Sequence, residues 1–126
     1  MPTSFDADET PIVSFDPTVE VSPFALFRRL QDGHELTLID CRAAPGPLSL
    51  KGARSHPGND WVPEPTADVV LFDERGDAAV IEARRLQALG AARTRALFGG
   101  LELYEFSLDP DIVGAETFLV RQDGER

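Results

Sequence analysis

The sequence predicts an α/β fold in which a mostly parallel sheet carries helices on both faces. Short apolar runs, typical of buried strands, alternate along the chain with longer amphipathic segments that are typical of helices. Such alternation favours a parallel sheet, because each helix serves as the crossover between neighbouring strands. The length of 126 residues fits one domain, and the sequence has no internal repeat.

The first helix is predicted over residues 23–31. Ser22 is a typical N-cap residue, Pro23 suits the first helical position, and Gly33 is placed to end the helix. An apolar stripe is formed by Phe24, Leu26, Phe27 and Leu30.

Strands are predicted at 36–39, 69–72 and 94–98. The first of them delivers Asp40, Cys41 and Arg42 at its carboxyl end. A second helix is predicted over 78–89, with Gly90 ending it. After the third strand, Gly99 and Gly100 introduce an apolar turn over 101–106.

Residues 43–66 are rich in proline and glycine and are predicted to be mostly loop. A loop of this length is a frequent place for function, although its role is left open. We expect a disordered N-terminus at 1–10, a domain over 11–120 and a charged tail at 121–126. The β-prone segments 12–15 and 117–120 are predicted to extend the sheet at an edge, where they could pair with each other.

Composition restricts the classes of partner. Twelve basic against 22 acidic side chains give a net charge of −10, which argues against nucleic acid and membrane surfaces. The N-terminus lacks the features of a signal peptide, so we expect a cytoplasmic protein. With one cysteine, Cys41, and two histidines, His34 and His56, neither a disulfide nor a zinc site is expected, and no cofactor is predicted. The oligomeric state is not predicted.

The order of several short motifs resembles the rhodanese-like domain over roughly residues 19–106. The motifs are a helix opened by Val21–Pro23, a strand ending in Asp40-Cys41-Arg42, Leu50–Ala53 followed by Pro57, Leu89–Gly90 at a helix end, and Gly99-Gly100 with Tyr104. The chain departs from the family pattern at Leu48-Ser49, where the family has Gly-His, at Lys51, where it has proline, and at Tyr104, where it has tryptophan. The resemblance implies a single rhodanese-like domain.

The active loop of that family has the pattern Cys-x-x-Gly-x-Arg-Ser/Thr. In the matching slot this sequence has Asp73, Glu74, Arg75, Gly76, Asp77, Ala78 and Ala79. Only the glycine matches, so the resemblance implies a degenerate loop without a catalytic residue. Sulfur transfer needs a thiolate, and a carboxylate cannot hold the transferred sulfur as a persulfide. The resemblance also assigns Asp40 and Arg42 to structural support of the loop.

Asp73 has several possible roles. Its carboxylate could occupy the loop's backbone N–H cradle, with donors near Arg75 to Asp77, or simply cap the loop; a phosphoryl-accepting role lacks the cations it would need. Glu74 and Asp77 could join Asp73 around a divalent cation, although a solvated acidic turn is the simpler interpretation. Neither of the two roles within the loop needs a bound ligand.

Three further residues are weighed. Cys41 is either a replacement nucleophile or a buried inert thiol, and its place at the end of a central strand favours burial. Trp61 could recognise a ligand or pin the loop, and we do not choose between these. His34 is expected on the surface, and His56 near the pocket mouth with no nucleophile to activate.

The sequence therefore predicts a catalytically inactive rhodanese-like domain that acts as a protein-binding or regulatory module with an unidentified protein partner. The resemblance permits a link to sulfur-carrier systems, including a purely structural role there. The alternative is a weak or atypical sulfurtransferase that uses Cys41 or a thiol of a partner chain.

Overall fold

The computed structural model describes residues 15–44 and 46–121. In chain order the elements are β1 Glu20–Val21, α1 Pro23–Gln31, β2 Thr37–Asp40, β3 Leu48–Leu50, β4 Arg54–Ser55, β5 Val69–Phe72, α2 Asp77–Ala88, β6 Thr94–Leu97, α3 Gly100–Ser107, α4 Pro110–Val113 and β7 Leu119–Arg121. None of the helices in these two ranges is long and apolar enough to cross a membrane.

Five strands form the central sheet, in the order β1-β6-β5-β2-β4. Every neighbouring pair in this sheet is parallel. In the register between β2 and β5, Asp40 lies opposite Phe72. Since the two strands end side by side, the residues that follow them, Arg42 and Asp73, meet at the same edge of the sheet.

The central strands are buried on both faces. Along β5, Val70 and Phe72 belong to the core that packs with α1 and α3, whereas Val69 and Leu71 belong to the core that packs with α2. The alternation follows from the two-residue period of a strand. The prediction of an α/β fold with helices on both faces of a parallel sheet is therefore confirmed.

Helix α1 has the predicted bounds. The Ser22 hydroxyl accepts a hydrogen bond from the Ala25 amide (3.2 Å), and Pro23 occupies the first helical turn. Beyond the C-cap Asp32, Gly33 takes a positive φ of 79°, which ends the helix.

The apolar turn predicted over 101–106 is wrong, because these residues lie in the helix α3. Residues 43–66 are mostly loop, as predicted, and contain the short strands β3 and β4. Helix α3 has no side-chain N-cap. Instead, backbone carbonyl groups of a distant loop accept hydrogen bonds from its first amides, a tertiary contact that local sequence does not indicate.

The predicted C-terminal strand forms, but not at an edge of the central sheet. Strand β7 pairs antiparallel with β3 in a separate two-stranded sheet. Phe118 packs its ring 6.1 Å from that of Phe27 on α1, and the buried Tyr104 hydroxyl donates to the Thr117 carbonyl oxygen (2.7 Å). These contacts hold the segment against the helical layer. Residues 12–14 of the other predicted edge segment lie outside the described residues, as do the predicted disordered N-terminus at 1–10 and the tail residues 122–126.

Candidate functional site

An open pocket of about 720 Å³ lies beyond the carboxyl ends of β2 and β5. It is lined by Cys41, Arg42, Ala43, Ala44, Asp73, Glu74, Arg75, Asp77, Ala78 and Glu102. Six of these belong to the nine residues predicted for the loop and its support. The other three, Asp40, Gly76 and Ala79, are buried behind the pocket wall.

The carboxylate of Asp73 is turned into its own loop. Its Oδ1 accepts a hydrogen bond from the Gly76 amide, and its Oδ2 accepts from the amides of Ala78 (2.7 Å) and Ala79 (3.2 Å). These donors lie at the start of α2, where backbone amides and the helix dipole favour a negative charge. Asp73 is only 6 % exposed, so its charge is compensated by the loop and not by water. The predicted cradle of backbone amides is therefore observed. Two of its donors, the amides of Ala78 and Ala79, lie just beyond the predicted range of Arg75 to Asp77.

The Gly99-Gly100 pair holds the loop from its other side. The first amides of α3 donate to the loop carbonyl groups: Leu101 to Asp73 (2.9 Å) and Glu102 to Glu74 (3.0 Å). A Cβ atom at Gly100 would overlap the backbone carbonyl group of Glu74. The close approach of the two backbones therefore requires glycine at this position.

Asp40 and Arg42 form a nearly buried pair beneath the loop. The Arg42 guanidinium donates Nε–H to Asp40 Oδ1 (2.9 Å) and Nη2–H to Oδ2 (2.8 Å). It also donates to Glu74 Oε2 (2.6 Å) and to the Leu48 carbonyl oxygen (2.8 Å). The arginine thus ties the ends of β2 and β3 to the loop, which is a geometry suited to the supporting role expected from sequence.

Cys41 is partly buried and lines the pocket, so the expected burial of the thiol is incomplete. Its amide donates to the Phe72 carbonyl oxygen (2.8 Å). Burial, together with the nearby carboxylates of Glu82, Asp73 and Asp40, raises the pKa of the thiol to about 12. The group is therefore protonated at neutral pH and is a poor nucleophile.

A second, smaller pocket of about 270 Å³ lies on the other side of Cys41 and contains His56. The His56 Nδ1 accepts from the Gly58 amide (3.0 Å), so the proton is on Nε2, which donates to Glu82 (2.7 Å). Glu82 also accepts two hydrogen bonds from the Arg85 guanidinium. The hydrogen bonds from Arg85, and to a smaller extent the one from His56, lower the pKa of Glu82. His56 is therefore held in a hydrogen-bond network with Glu82, whereas His34 is exposed as expected.

Trp61 packs against the core on the α2 side, and its ring lies edge-on to His56 at 5.2 Å. This position favours the loop-pinning role over ligand recognition. Within residues 15–44 and 46–121, no group of three His, Cys, Asp or Glu side chains is arranged to hold a metal ion. Both oxygens of Asp73 are already bound to amides, which leaves the suggested cation cluster without its central ligand.

Sequence reasoning missed Glu82 and Glu102, which lie on α2 and α3 at the walls of the two pockets. Each is one of many surface glutamates, and nothing in the local pattern distinguishes it. Only the tertiary structure brings Glu102 beside Arg75 and Glu82 beside His56.

Solved structures with the same architecture identify the fold. A rhodanese-related protein from Thermoplasma volcanium superposes with a TM-score of 0.54 at 12 % identity, covering 71 % of this chain and 92 % of its own. The chain has the rhodanese-like fold. The BH2092 protein from Bacillus halodurans matches this rhodanese-like domain with a TM-score of 0.59 at 19 % identity, over 72 % of this chain and 74 % of its own. A protein from Lactobacillus plantarum matches with a TM-score of 0.56 at 21 % identity, over 72 % and 85 %. No protein-family profile and no curated protein matches the sequence significantly.

Proposed function

We propose that this rhodanese-like domain does not catalyse sulfur transfer and acts as a protein-binding or regulatory module. The observation that supports this is the Asp73 carboxylate, which accepts three amide hydrogen bonds at the start of α2. In the proposal, Asp73 stands where a sulfurtransferase of this fold has its cysteine. The negative charge that the loop stabilises is then supplied by the chain itself.

The chemistry of sulfur transfer supports the same proposal. A thiolate must attack the outer sulfur of thiosulfate, release sulfite and keep that sulfur as a persulfide. A carboxylate at Asp73 forms no such intermediate, and its bonds leave few loop amides for a substrate anion. Ala78 and Ala79 supply neither a cation nor a hydroxyl group to the pocket.

The alternative, a weak sulfurtransferase that uses Cys41, has little support. The raised pKa of Cys41 keeps its thiolate scarce, and three carboxylates, those of Glu82, Asp73 and Asp40, surround it. Those carboxylates also repel thiosulfate and stabilise no transferred charge. A thiol supplied by a partner chain would have to be activated by residues of that partner.

The test is a thiosulfate:cyanide sulfurtransferase assay on the full chain, with intact-mass detection of a persulfide and with Cys41→Ser as control. We expect no thiocyanate above the rate of that control, and little or none from Asp73→Cys, because Asp77, Ala78 and Ala79 remain. Turnover that Asp73→Ala abolishes would overturn the proposal, and a persulfide lost in Cys41→Ser would favour the alternative.

A further inference from the structure

A second concave surface adjoins the pocket on the α3 side. It is an apolar groove of about 450 Å³, lined by Arg75, Phe98, Gly99, Glu102, Leu103 and Phe106. Phe106 is 86 % exposed, and the Leu103 side chain lies directly over Gly99, which leaves no room there for a Cβ atom. An aromatic ring that is this exposed and lies beside other apolar side chains is a typical anchor point for a protein partner.

The groove and the pocket form one continuous surface, because Arg75 and Glu102 line both. We call this the docking surface. Its apolar part consists of Phe98, Leu103 and Phe106, and its acidic part consists of Glu74, Asp77 and Glu102. All three acidic residues are exposed.

The charge of the docking surface is negative. The cations on it are engaged: Arg42 binds both Asp40 and Glu74, and Arg75 lies 3.5 Å from Glu102. Backbone amides compensate the buried charge of Asp73. The exposed Asp77 carboxylate has no cation among the described ion pairs. The net charge of −10 over the whole chain adds to this field and attracts cationic partners at long range.

We propose that the docking surface binds a peptide segment of a partner protein that presents an arginine or lysine next to a large apolar side chain. The apolar side chain would pack on Leu103 and Phe106, and the cation would bind Asp77 and share Glu102 with Arg75. This rests on the proposed function as a binding module and specifies its partner. A second copy of this chain fits poorly, since two molecules of charge −10 repel each other.

The probe is a displayed library of random twelve-residue peptides, selected against the full chain at low ionic strength. We expect enrichment of peptides with arginine or lysine beside leucine, phenylalanine or tryptophan, and weaker binding as salt increases. Synthetic copies of the strongest peptides are then titrated against variants. Phe106→Ser should weaken binding about tenfold or more, and Asp77→Asn should weaken it several-fold.

Ile112→Ser is the matched control, because Ile112 is also largely exposed (81 %) but lines a different groove, between α1 and α4. Its affinity for the peptides should equal that of the wild type. The proposed surface would be overturned if the selected peptides were acidic or uncharged, or if no peptides were enriched. Equal affinity of the peptides for Phe106→Ser and the wild type would also overturn it. A dimer that Phe106→Ser abolishes would assign the surface to a second copy and overturn it as well. If the selected peptides bind elsewhere on the chain, the docking surface is wrong but the proposed binding function stands. Sulfurtransferase turnover would instead contradict the proposed function itself.

Discussion

Gly100 lies against the backbone carbonyl group of Glu74, and the amide of the residue two positions later, Glu102, donates to that same carbonyl oxygen (3.0 Å). The loop before α2 and the start of α3 are therefore joined backbone to backbone. Gly100 has a φ of +67°, a conformation that glycine adopts without strain. The position of the candidate site depends on this contact as much as on its own side chains.

Gly100→Ala should destabilise the fold strongly, because the added methyl group meets the Glu74 carbonyl group and the backbone is left-handed. We expect a loss of about 3 kcal/mol in the free energy of unfolding. The control is Gly90→Ala, which has a φ of +106° but open space around its Cβ position, and which should cost only about 1 kcal/mol. Urea unfolding of both variants measures the difference; equal losses would show that the contact is unimportant.

Arg42→Ala should also be costly, since it leaves the nearly buried Asp40 carboxylate without its partner. The expected loss is about 3 kcal/mol or more in the free energy of unfolding. Glu74→Gln removes only the outer, half-exposed partner of the same arginine and should cost below about 1 kcal/mol. If denaturant unfolding gave the reverse order, the contact of Arg42 with Glu74 would contribute more to stability than its pairing with Asp40.

Alkylation of Cys41 should be slow and strongly pH-dependent. A pKa of about 12 in place of 9.0 lowers the thiolate fraction near pH 8 about a thousandfold. The rate with iodoacetamide should still be rising above pH 10, as long as the chain stays folded. The urea-unfolded chain is the control, and its rate should reach half of its plateau near pH 9 and level off above about pH 10. A folded-state rate with the same midpoint as this control would mean that the thiol is not shielded by burial and carboxylates.

Asp73→Asn should loosen the loop and destabilise the fold by about 2 kcal/mol, because the charge that the three amides stabilise is lost. Asp60→Asn is the matched control at an exposed position, with an expected change within about 0.5 kcal/mol. Thermal and urea unfolding measure stability, and amide hydrogen exchange of residues 73–79 measures the loosening. An unchanged exchange rate in Asp73→Asn would show that the carboxylate does not order the loop.

Local signals in the sequence predicted much of the fold. Ser22, Pro23 and Gly33 define the ends of α1, and the apolar run 69–72 corresponds to β5. The pairing of β3 with β7 was not predictable, because three-residue strands about seventy positions apart carry no local sign of their partner. Helix α3 was missed because distant carbonyl groups cap it.

The candidate site was predicted in part. The family resemblance predicted that Asp40 and Arg42 support the loop that begins at Asp73. The structure brings them together because β2 and β5 are neighbouring parallel strands that end at the same edge of the sheet. The apolar half of the docking surface was not expected. Phe106 was predicted as part of an apolar turn, and its exposure follows from the helical conformation of α3, in which Leu101 and Tyr104 face the core instead.

The Asp73 carboxylate is expected to keep external anions out of the amide cradle at the start of α2. The direct measurement is a sulfate titration followed by the amide NMR signals of Gly76, Ala78 and Ala79, with sodium chloride at matched ionic strength as control. We expect no specific shifts in the wild type and saturable shifts of these signals in Asp73→Ala, where the cradle is vacated. Saturable sulfate binding by the same amides in the wild type, with no gain in Asp73→Ala, would contradict it.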